Sequence, residues 1–362
     1  MKKYTIISTF PAEGTQNIGD ALITEATKAI LKRVKGENIT FDVIWRADSW
    51  KNVKDQVLKS ECVIFACLAI RENMDTITYP FINQIIDSNI PYGILSAGTS
   101  LNTNRLKWPL KLESDSSLFL KKLYDNAIFF STRGILTQQF CLDNDLKGCV
   151  FTGDVAFFDS RFEKRKFSIN NNIKKIVISD PHYSKFYMKG FDHLIKNLRN
   201  IFPGSSISVH IHGINKEVVN YCVKNEINHH LIYQNVGSGL DLYDEYDLHV
   251  GFRVHGHVSM LKRRKPSYLL EQDGRGHDYG LSINLNSSYP CFNPVMNQSS
   301  IINKLSSKIF PNKVNNKHIY SVNIISEIIK EDKKENFIKF LGFERQIKGF
   351  IDKLHTEITK LP

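Results

Sequence analysis

Short apolar runs alternate along this chain with longer segments in which apolar residues recur every three or four positions. The short runs predict β-strands and the longer segments predict helices, and their alternation is typical of βαβ units around a parallel sheet. The predicted strands of the first half are residues 4–9, 39–45, 62–69, 92–97, 128–131 and 149–152, and its predicted helices are residues 20–34, 80–88, 118–126 and 134–144.

A polar, Asn-rich segment at residues 159–174 shows neither period and predicts a linker. The alternation then resumes, with predicted strands at 175–179, 206–211, 231–233, 248–252 and 266–270, predicted helices at 188–201, 216–225, 241–246 and 254–262, and two closing amphipathic helices at 322–330 and 334–361. The stretch that begins at residue 284, rich in Ser, Asn and Pro, receives no assignment. We predict an α/β chain with two Rossmann-like domains, residues 1–160 and 175–330, which face a cleft. A C-terminal helical segment, residues 331–362, is expected to pack back on the first domain.

Composition narrows the class of protein. With 362 residues, 42% of them hydrophobic and 23% charged, the chain is long enough for two cores. Its longest apolar run, residues 62–70, is far shorter than the roughly 20 residues of a membrane span. The first residues lack the apolar core and cleavage site of a signal peptide and predict a strand. The six cysteines show no metal-type spacing, which favours reduced thiols and a cytoplasmic location.

The net charge of +11 indicates an anionic partner or a solvated basic surface. Basic residues are spread along the chain, and the one dense run, residues 262–265, has no interleaved aromatic residues, so nucleic acid is not the expected partner. An anionic small molecule and an anionic membrane surface both fit the charge.

Polar clusters stand where predicted strands end. After the first strand comes Gly14-Thr15-Gln16-Asn17-Ile18-Gly19-Asp20, which runs into a helix N-terminus. Unpaired amides at such a terminus suit an anion or a polar sugar. A purely structural alternative is that Asp20 caps the helix and Gly19 makes the turn. The Gly-Lys-Ser/Thr ending of a phosphate-binding P-loop is missing.

Four later segments have the same placement. Gly251-Phe252-Arg253-Val254-His255 offers a guanidinium fork for a carboxylate or phosphate and an imidazole that exchanges protons near neutral pH. Ser131-Thr132-Arg133-Gly134 and Thr152-Gly153-Asp154 close the first half, and residues 271–279 form a dense glycine-containing segment around Arg275. The alternative for His255 is a structural histidine whose hydrogen bonds are made within the protein. The alternative for residues 271–279 is a glycine-rich loop whose charges are paired with one another.

Taken in order, these clusters resemble the polysaccharide pyruvyltransferase family. The resemblance spans residues 5–280 and rests on Asn17-Ile18-Gly19-Asp20-Ala21-Leu22-Ile23, Ser131-Thr132-Arg133, Gly153-Asp154-Val155-Ala156-Phe157, Gly251-Phe252-Arg253-Val254-His255 and Lys265-Pro266. It implies a GT-B-like fold, with the acceptor on the side of the first domain and the donor on the side of the second. Phosphoenolpyruvate is then a co-substrate, and neither a further cofactor nor a metal is expected.

Three positions depart from the family pattern. Gly134 stands where an Asp is usual, and Ala66-Cys67-Leu68 stands where a glycine cluster is usual. Ser179-Asp180-Pro181-His182 replaces an arginine that often follows the first strand of the second domain.

The resemblance implies transfer of the enolpyruvyl group of phosphoenolpyruvate onto a sugar of a cell-surface polysaccharide precursor, such as that of an exopolysaccharide or capsule, to form a pyruvate ketal. The acceptor is a sugar or a lipid-linked oligosaccharide, and contact with the inner face of an anionic membrane and an oligomeric state stay open. We assign donor binding to Arg133, Arg253, Arg275 and His255, catalysis to His255, Asp20 and Asp154, and acceptor binding to Asn17, Asp20 and His182.

Two other functions remain open at this point. One is a GT-B glycosyltransferase of polysaccharide biosynthesis that uses a nucleotide sugar, with the same arginines on a diphosphate. The other is a non-catalytic module that binds anionic glycans or nucleic acid through its positive charge.

Overall fold

Two parallel β-sheets organise the chain in the computed structural model, which describes residues 2–10, 17–99, 112–167, 172–291 and 311–362. Residues 14–16 of the first polar cluster, residues 168–171 of the predicted linker and residues 292–310 of the unassigned stretch lie outside the described residues. The fold is α/β with two Rossmann-like halves that face a cleft, as predicted.

The first sheet has the strand order β2-β1-β3-β5-β6-β7, with β4 paired to β5. Its strands are β1 (Lys2–Ser8), β2 (Ile39–Trp45), β3 (Cys62–Ala66), β4 (Ala69–Ile70), β5 (Tyr92–Thr99), β6 (Phe129–Thr132) and β7 (Val150–Phe151). Its helices are α1 (Ile18–Lys35), α2 (Trp50–Leu58), α3 (Ile82–Asp87), α4 (Ser114–Asp125) and α5 (Ile135–Asp143), with a π-helical turn at Met74–Thr78 and a 3₁₀ turn at Val155–Phe157.

The second sheet has the order β10-β9-β8-β11-β12-β13, which is the 3-2-1-4-5-6 order of a Rossmann sheet. Its strands are β8 (Lys175–Ser179), β9 (Ser206–His210), β10 (Asn228–His230), β11 (Leu248–Gly251), β12 (Ser267–Glu271) and β13 (Ser288–Pro290). Its helices are α6 (Ser184–Ile201), α7 (Lys216–Lys224), α8 (Val254–Lys262) and α9 (Gly274–Ile283), with 3₁₀ turns at Ile232–Gln234 and Gly239–Glu245.

Both sheets have a point where the strand order reverses, between β1 and β3 in the first and between β8 and β11 in the second. Ligands of open α/β sheets bind beyond the carboxyl ends of the strands at such points, because the connecting loops diverge there and leave a crevice. A backbone hydrogen bond of 3.0 Å from the Ile18 amide to the His212 carbonyl joins the loop after β1 to the loop after β9. The two crevices therefore face each other.

Two helices close the chain, α10 (Pro311–Lys334) and α11 (Phe343–Thr359), with a 3₁₀ turn at Ile338–Gly342 between them. Helix α10 packs on α6 of the second half, whereas α11 packs on α1 of the first half. Lys35 at the end of α1 donates to the Thr359 carbonyl at 3.3 Å. One hydrophobic core runs through both halves, and a second core covers the other face of the first sheet.

Several predicted elements differ from the observed ones. Helix α2 was not predicted, and the helix predicted for residues 334–361 is interrupted by the 3₁₀ turn. The strand predicted at residues 231–233 is wrong, since the strand is β10 and a 3₁₀ turn follows it. The glycine-containing segment after β12 begins helix α9, because the Asp273 carboxylate caps it by accepting hydrogen bonds from the Arg275 and Gly276 amides at 3.0 and 3.2 Å.

Candidate active site

A cavity of about 290 Å³ lies between the two halves, beyond the carboxyl ends of their strands. Residues that follow strands of both sheets line it: Asn17, Asp20, Arg46 and Arg133 from the first half, and His182, His212, Phe252, Arg253, Val254, His255, Gln272, Asp273, Arg275 and Gly276 from the second. Of the eight residues assigned to the site from sequence, seven line this cavity, and Asp154 does not.

The N-terminus of α1 forms one wall. Asn17 is the cap, since its Oδ1 accepts a hydrogen bond from the Gly19 amide at 3.3 Å. The carboxylate of Asp20 is therefore not used as the cap and faces the cavity. Gly19 packs against the imidazole of His255, with no room for a side chain between them. The first polar cluster thus positions the histidine of the second half.

His255 lies in the first turn of α8, directly after β11. Its Nε2 is buried and has no hydrogen-bond partner among the described residues. Burial lowers the pKa of His255, the nearby arginines Arg133 and Arg275 lower it as well, and Asp154 and Asp20 act in the opposite direction. The imidazole is accordingly neutral at pH 7 in the unliganded protein, and its Nε2 has hydrogen-bonding capacity that no described residue uses.

Arg253 is held by a buried carboxylate rather than left open. Its Nε and NH2 donate to the two carboxylate oxygens of Asp180 at 3.0 and 2.7 Å, and its NH1 contacts Nδ1 of His182 at 3.0 Å. Asp180 itself is fully buried at the end of β8. Arg253, which was assigned to donor binding, lines the cavity, but two edges of its guanidinium are engaged by Asp180 and the remaining side lies near His182.

Arg133 follows β6 and has no hydrogen-bonded carboxylate among the described residues. Its guanidinium lies 5.9 Å from the ring centre of Tyr279 and packs against Gly98, where a side chain would collide with it. Arg275, at the start of α9, pairs with Asp273 at 2.6 Å and is about half exposed. Burial lowers the pKa of His182 to about 4, and the positive charges of Arg253 and Arg275 add to the effect.

Sequence comparison identifies the family. A family model for polysaccharide pyruvyl transferase matches residues 17–271, which is more than half of the chain. The chain belongs to the polysaccharide pyruvyl transferase family. It is a transferase, and the predicted family and GT-B-like fold are confirmed. No curated protein matches the chain.

Solved structures similar to this transferase align with most of its chain at low sequence identity. They include UDP-GlcNAc 2-epimerase from Neisseria meningitidis bound to UDP-GlcNAc, which is 16% identical with a TM-score of 0.49 and covers 91% of this chain and 99% of its own. A putative UDP-N-acetylglucosamine 2-epimerase from Listeria monocytogenes is 11% identical with a TM-score of 0.49 and coverages of 93% and 96%. The glycotransferase of kitacinnamycin is 10% identical with a TM-score of 0.49 and coverages of 100% and 99%.

Asp154 lies beneath the cavity of this pyruvyl transferase, not on its wall. It is fully buried, caps the turn at Val155–Phe157 by accepting from the Ala156 amide at 2.7 Å, and accepts a hydrogen bond from the Tyr279 hydroxyl. The expectation that Asp154 faces an acceptor hydroxyl is therefore corrected. Because Tyr279 belongs to the second half, this contact joins the two halves directly under Arg133.

Gly134, which departs from the family pattern, leaves a space that another carboxylate fills. A side chain at residue 134 would collide with Asp278, whose carboxylate accepts hydrogen bonds from the Leu136 amide and the Thr137 hydroxyl, each at 2.7 Å. Asp278 on α9 thereby caps α5 across the interface of the two halves, and its burial raises its pKa.

Sequence reasoning missed Arg46, which lines the cavity after β2. The rule that selected Arg133, an arginine directly after a predicted strand, would have selected it too. Neighbouring Arg71, which follows β4, was missed as well. Its Nε is buried without a hydrogen-bond partner among the described residues.

The dense basic run at residues 262–265 is structural. Lys262 and Arg263 are nearly fully buried; Lys262 pairs with Asp159 at 3.1 Å, and Arg263 pairs with Asp241 at 3.2 Å. This run is thus not available to a polyanion. Within the described part of the chain, no group of three His, Cys, Asp or Glu side chains could hold a metal ion, and no helix is long and apolar enough to cross a membrane.

Proposed function

We propose that this transferase moves the enolpyruvyl group of phosphoenolpyruvate onto a sugar of a cell-surface polysaccharide precursor and leaves a pyruvate ketal. One observation carries the proposal: Arg133 of the first half and His255 of the second line the same cavity, together with Asp20 in the first turn of α1. Cations, a proton carrier and a base therefore meet at one place.

The chemistry requires these three kinds of group. Carbon 2 of phosphoenolpyruvate forms bonds to two sugar oxygens, its bond to the phosphate oxygen breaks, and carbon 3 gains a proton to become a methyl group. The two hydroxyl protons balance the reaction, one on carbon 3 and one on the released phosphate. Positive charge on the developing carbon centre and negative charge on the leaving phosphate both need stabilisation.

The arginines suit the donor to different degrees. Arg133 has no ion pair with a described carboxylate, so its fork is the one that best fits the donor carboxylate or phosphate. Arg275 shares its charge with the partly buried Asp273, and Arg253 can offer only the edge beside His182. We assign the first contact with the donor to Arg133, and supporting contacts to Arg275 and Arg253.

His255 is proposed to bind the donor phosphate and to deliver the proton. Its lowered pKa keeps the imidazole neutral before binding. The negative charge of a bound phosphate beside its unpartnered Nε2 would favour the imidazolium and convert the imidazole to an acid. Asp20 is proposed as the base that accepts a proton from an acceptor hydroxyl, with Asn17 and His182 positioning the sugar.

Binding of phosphoenolpyruvate tests the donor assignment without knowledge of the acceptor. Titration calorimetry should show that Arg133→Gln and His255→Gln each weaken phosphoenolpyruvate binding at least tenfold, about 1.4 kcal/mol, while the melting temperature stays close to that of the wild type. Arg345→Gln, at an exposed position on α11, is the matched control and should bind normally.

A panel of nucleotide sugars in the same assay distinguishes this function from nucleotide-sugar transfer. Binding of a nucleotide sugar without binding of phosphoenolpyruvate would refute the assignment of phosphoenolpyruvate as the donor. Once an acceptor is identified, release of inorganic phosphate and gain of a pyruvate ketal by mass spectrometry would measure turnover, which His255→Gln should abolish.

A further inference from the structure

A series of hydrogen bonds leads from the buried end of β8 to the cavity and joins Asp180, Arg253 and His182. Asp180 is fully buried, and its carboxylate accepts hydrogen bonds from the His212 amide at 3.0 Å and from the Asn215 side-chain amide at 2.8 Å. Groups other than Arg253 thus help to fix this carboxylate. Asp180 and His182 both belong to the segment after β8 that departs from the family pattern, so the series is a feature of this sequence.

The contact with Arg253 fixes which ring nitrogen of His182 carries the hydrogen. NH1 of Arg253 lies 3.0 Å from Nδ1 of His182, and a guanidinium group can donate hydrogen bonds but cannot accept them. Nδ1 is therefore the acceptor, and the single hydrogen of the neutral ring lies on Nε2. Burial lowers the pKa of His182 to about 4, and the charges of Arg253 and Arg275 add to this effect. Asp180 and Asp273 oppose it without reversing it, so the ring is neutral at pH 7.

The backbone of His182 is held in place as well. Its amide donates to Oε1 of Gln272 at 2.8 Å, and Nε2 of Gln272 donates to the Phe252 carbonyl at 2.7 Å, which ties residue 182 to the end of β11. Its ring meets the ring of Tyr183 edge to face, with 4.6 Å between their centres. His182 is exposed and lines the cavity, and its Nε2 forms no hydrogen bond with a described residue. The protein therefore orients an N–H donor whose partner it does not supply.

We propose that His182 is a specificity-determining residue for the acceptor: its Nε2–H donates to a sugar oxygen, and Asp180 and Arg253 are the positioning residues that keep the hydrogen on Nε2. That this oxygen belongs to the acceptor rests on the proposed function, whereas the tautomer rests on the three residues alone. Hydroxyl, ring and carbonyl oxygens of a sugar can all accept such a bond. An ammonium group in the same place would face another donor and be rejected.

The fixed tautomer also separates His182 from proton transfer. Its Nδ1 is occupied by Arg253, and its Nε2 already carries a hydrogen, so the ring has no free lone pair with which to take a hydroxyl proton. His182 can therefore orient an acceptor hydroxyl but cannot activate it. The proton goes to Asp20, the proposed base, which lines the same cavity from the first half.

The tautomer can be measured without any ligand. In protein labelled with ¹⁵N-histidine, long-range proton–nitrogen spectra should show a protonated Nε2 and an unprotonated Nδ1 for His182, whose signals are identified by their absence from the His182→Gln spectrum. These signals should stay constant between about pH 8 and pH 5.5, because the ring titrates near pH 4. A protonated Nδ1, or a titration midpoint above about pH 5.5, would overturn the assignment.

The positioning role is tested by removing both charges behind the ring. In the double variant Asp180→Asn with Arg253→Met, no buried charge is left without its partner, and both tautomers of His182 should appear. A ring that keeps its hydrogen on Nε2 alone in this variant would refute the positioning role. The wild-type spectrum decides the tautomer even if the double variant does not fold.

Two substitutions of His182 separate binding from structure, because they keep opposite ends of the contact. His182→Asn places an amide oxygen near the position of Nδ1, so it can still accept from Arg253, but it has no group at the position of Nε2. His182→Gln places an amide N–H near Nε2 and gives up the contact with Arg253. A binding role ranks His182→Gln above His182→Asn in acceptor affinity, whereas a purely structural role ranks them in the opposite order.

The probes are methyl glycosides of common hexoses and N-acetylhexosamines, titrated by calorimetry with each protein saturated with phosphoenolpyruvate. At least one glycoside should bind the wild type, and His182→Asn should weaken that binding by roughly tenfold, against less than about threefold for His182→Gln. Arg345→Gln, at an exposed position, is the control and should bind normally. Equal losses in the two variants, or a larger loss in His182→Gln, would overturn the role of His182.

Failure of this inference is distinguishable from failure of the proposed function. If phosphoenolpyruvate binds the wild type but no glycoside depends on His182, the specificity role is refuted and the donor stands. If phosphoenolpyruvate does not bind, the proposed donor is refuted, and the tautomer is still decided by the spectra of the unliganded protein.

Discussion

Replacing Gly19 by alanine tests how the two halves build the site. An added Cβ would lie 2.8 Å from Cγ and 3.0 Å from Cβ of His255, and closer still to its Nδ1. Carbon atoms pack best at about 3.5–4.0 Å, so the imidazole or helix α1 has to move. Overpacking of this kind costs about 1–3 kcal/mol. We expect Gly19→Ala to lower the free energy of unfolding by that amount.

The same movement should displace the imidazole of His255 from its position at the cavity wall. We therefore expect affinity for phosphoenolpyruvate to fall at least tenfold, as measured by calorimetry beside urea unfolding. Gly349→Ala is the matched control, because residue 349 also lies in a helix and a Cβ there meets no atom within 4 Å. That variant should be unchanged or more stable by up to about 1 kcal/mol. Equal stability and affinity in the two variants would refute the reasoning.

Three other perturbations have outcomes that follow from the structure. Asp180→Ala should lower the free energy of unfolding by about 3–5 kcal/mol in urea, because Arg253 would keep a buried charge without its partner; a loss below 1 kcal/mol would contradict this. Acid should destabilise the protein: burial lowers the pKa of His210 and of His257 to about 3, so below about pH 6.5 the unfolded chain binds protons that the folded chain does not. Stability from these residues is complete above pH 6.5, and each should cost about 1.4 kcal/mol at pH 5.5, visible as a falling melting temperature between pH 7 and 5.5; a constant one argues against it. Asp278→Ala should cost about 0.5–2 kcal/mol in thermal unfolding through loss of the α5 cap, and an unchanged transition would show that the contact is not needed.

The site could be predicted from the sequence wherever one rule applied. Polar residues directly after parallel strands meet at the same edge of the sheet. Arg133 and His255 were found in this way, and both line the cavity. Arg46 obeys the same rule but belongs to no recognised motif. Motif matching therefore passed over Arg46, although the rule applied to every strand end would have selected it.

Pairing between distant residues could not be read from the chain. Asp180 and Arg253 stand 73 positions apart and meet because β8 and β11 are neighbours at the point where strand order reverses. Asp278 fills the space left by Gly134 only because α9 lies against α5 across the interface. A single sequence shows that each residue is polar or small, but the partner depends on how the halves are assembled.

The pairing pattern also divides the positive charge of the chain into two parts. In the run at residues 262–265, Lys262 and Arg263 meet carboxylates inside the protein and need no ligand. Arg46 and Arg133, by contrast, line the cavity and form no ion pair with a described carboxylate, although the nearby Asp154 helps to raise the pKa of Arg133. An anion that binds beside these guanidinium groups in the folded protein, and not in the unfolded chain, should stabilise the fold. The net charge of +11 therefore indicates little by its size, and its meaning lies in which guanidinium groups remain unpaired.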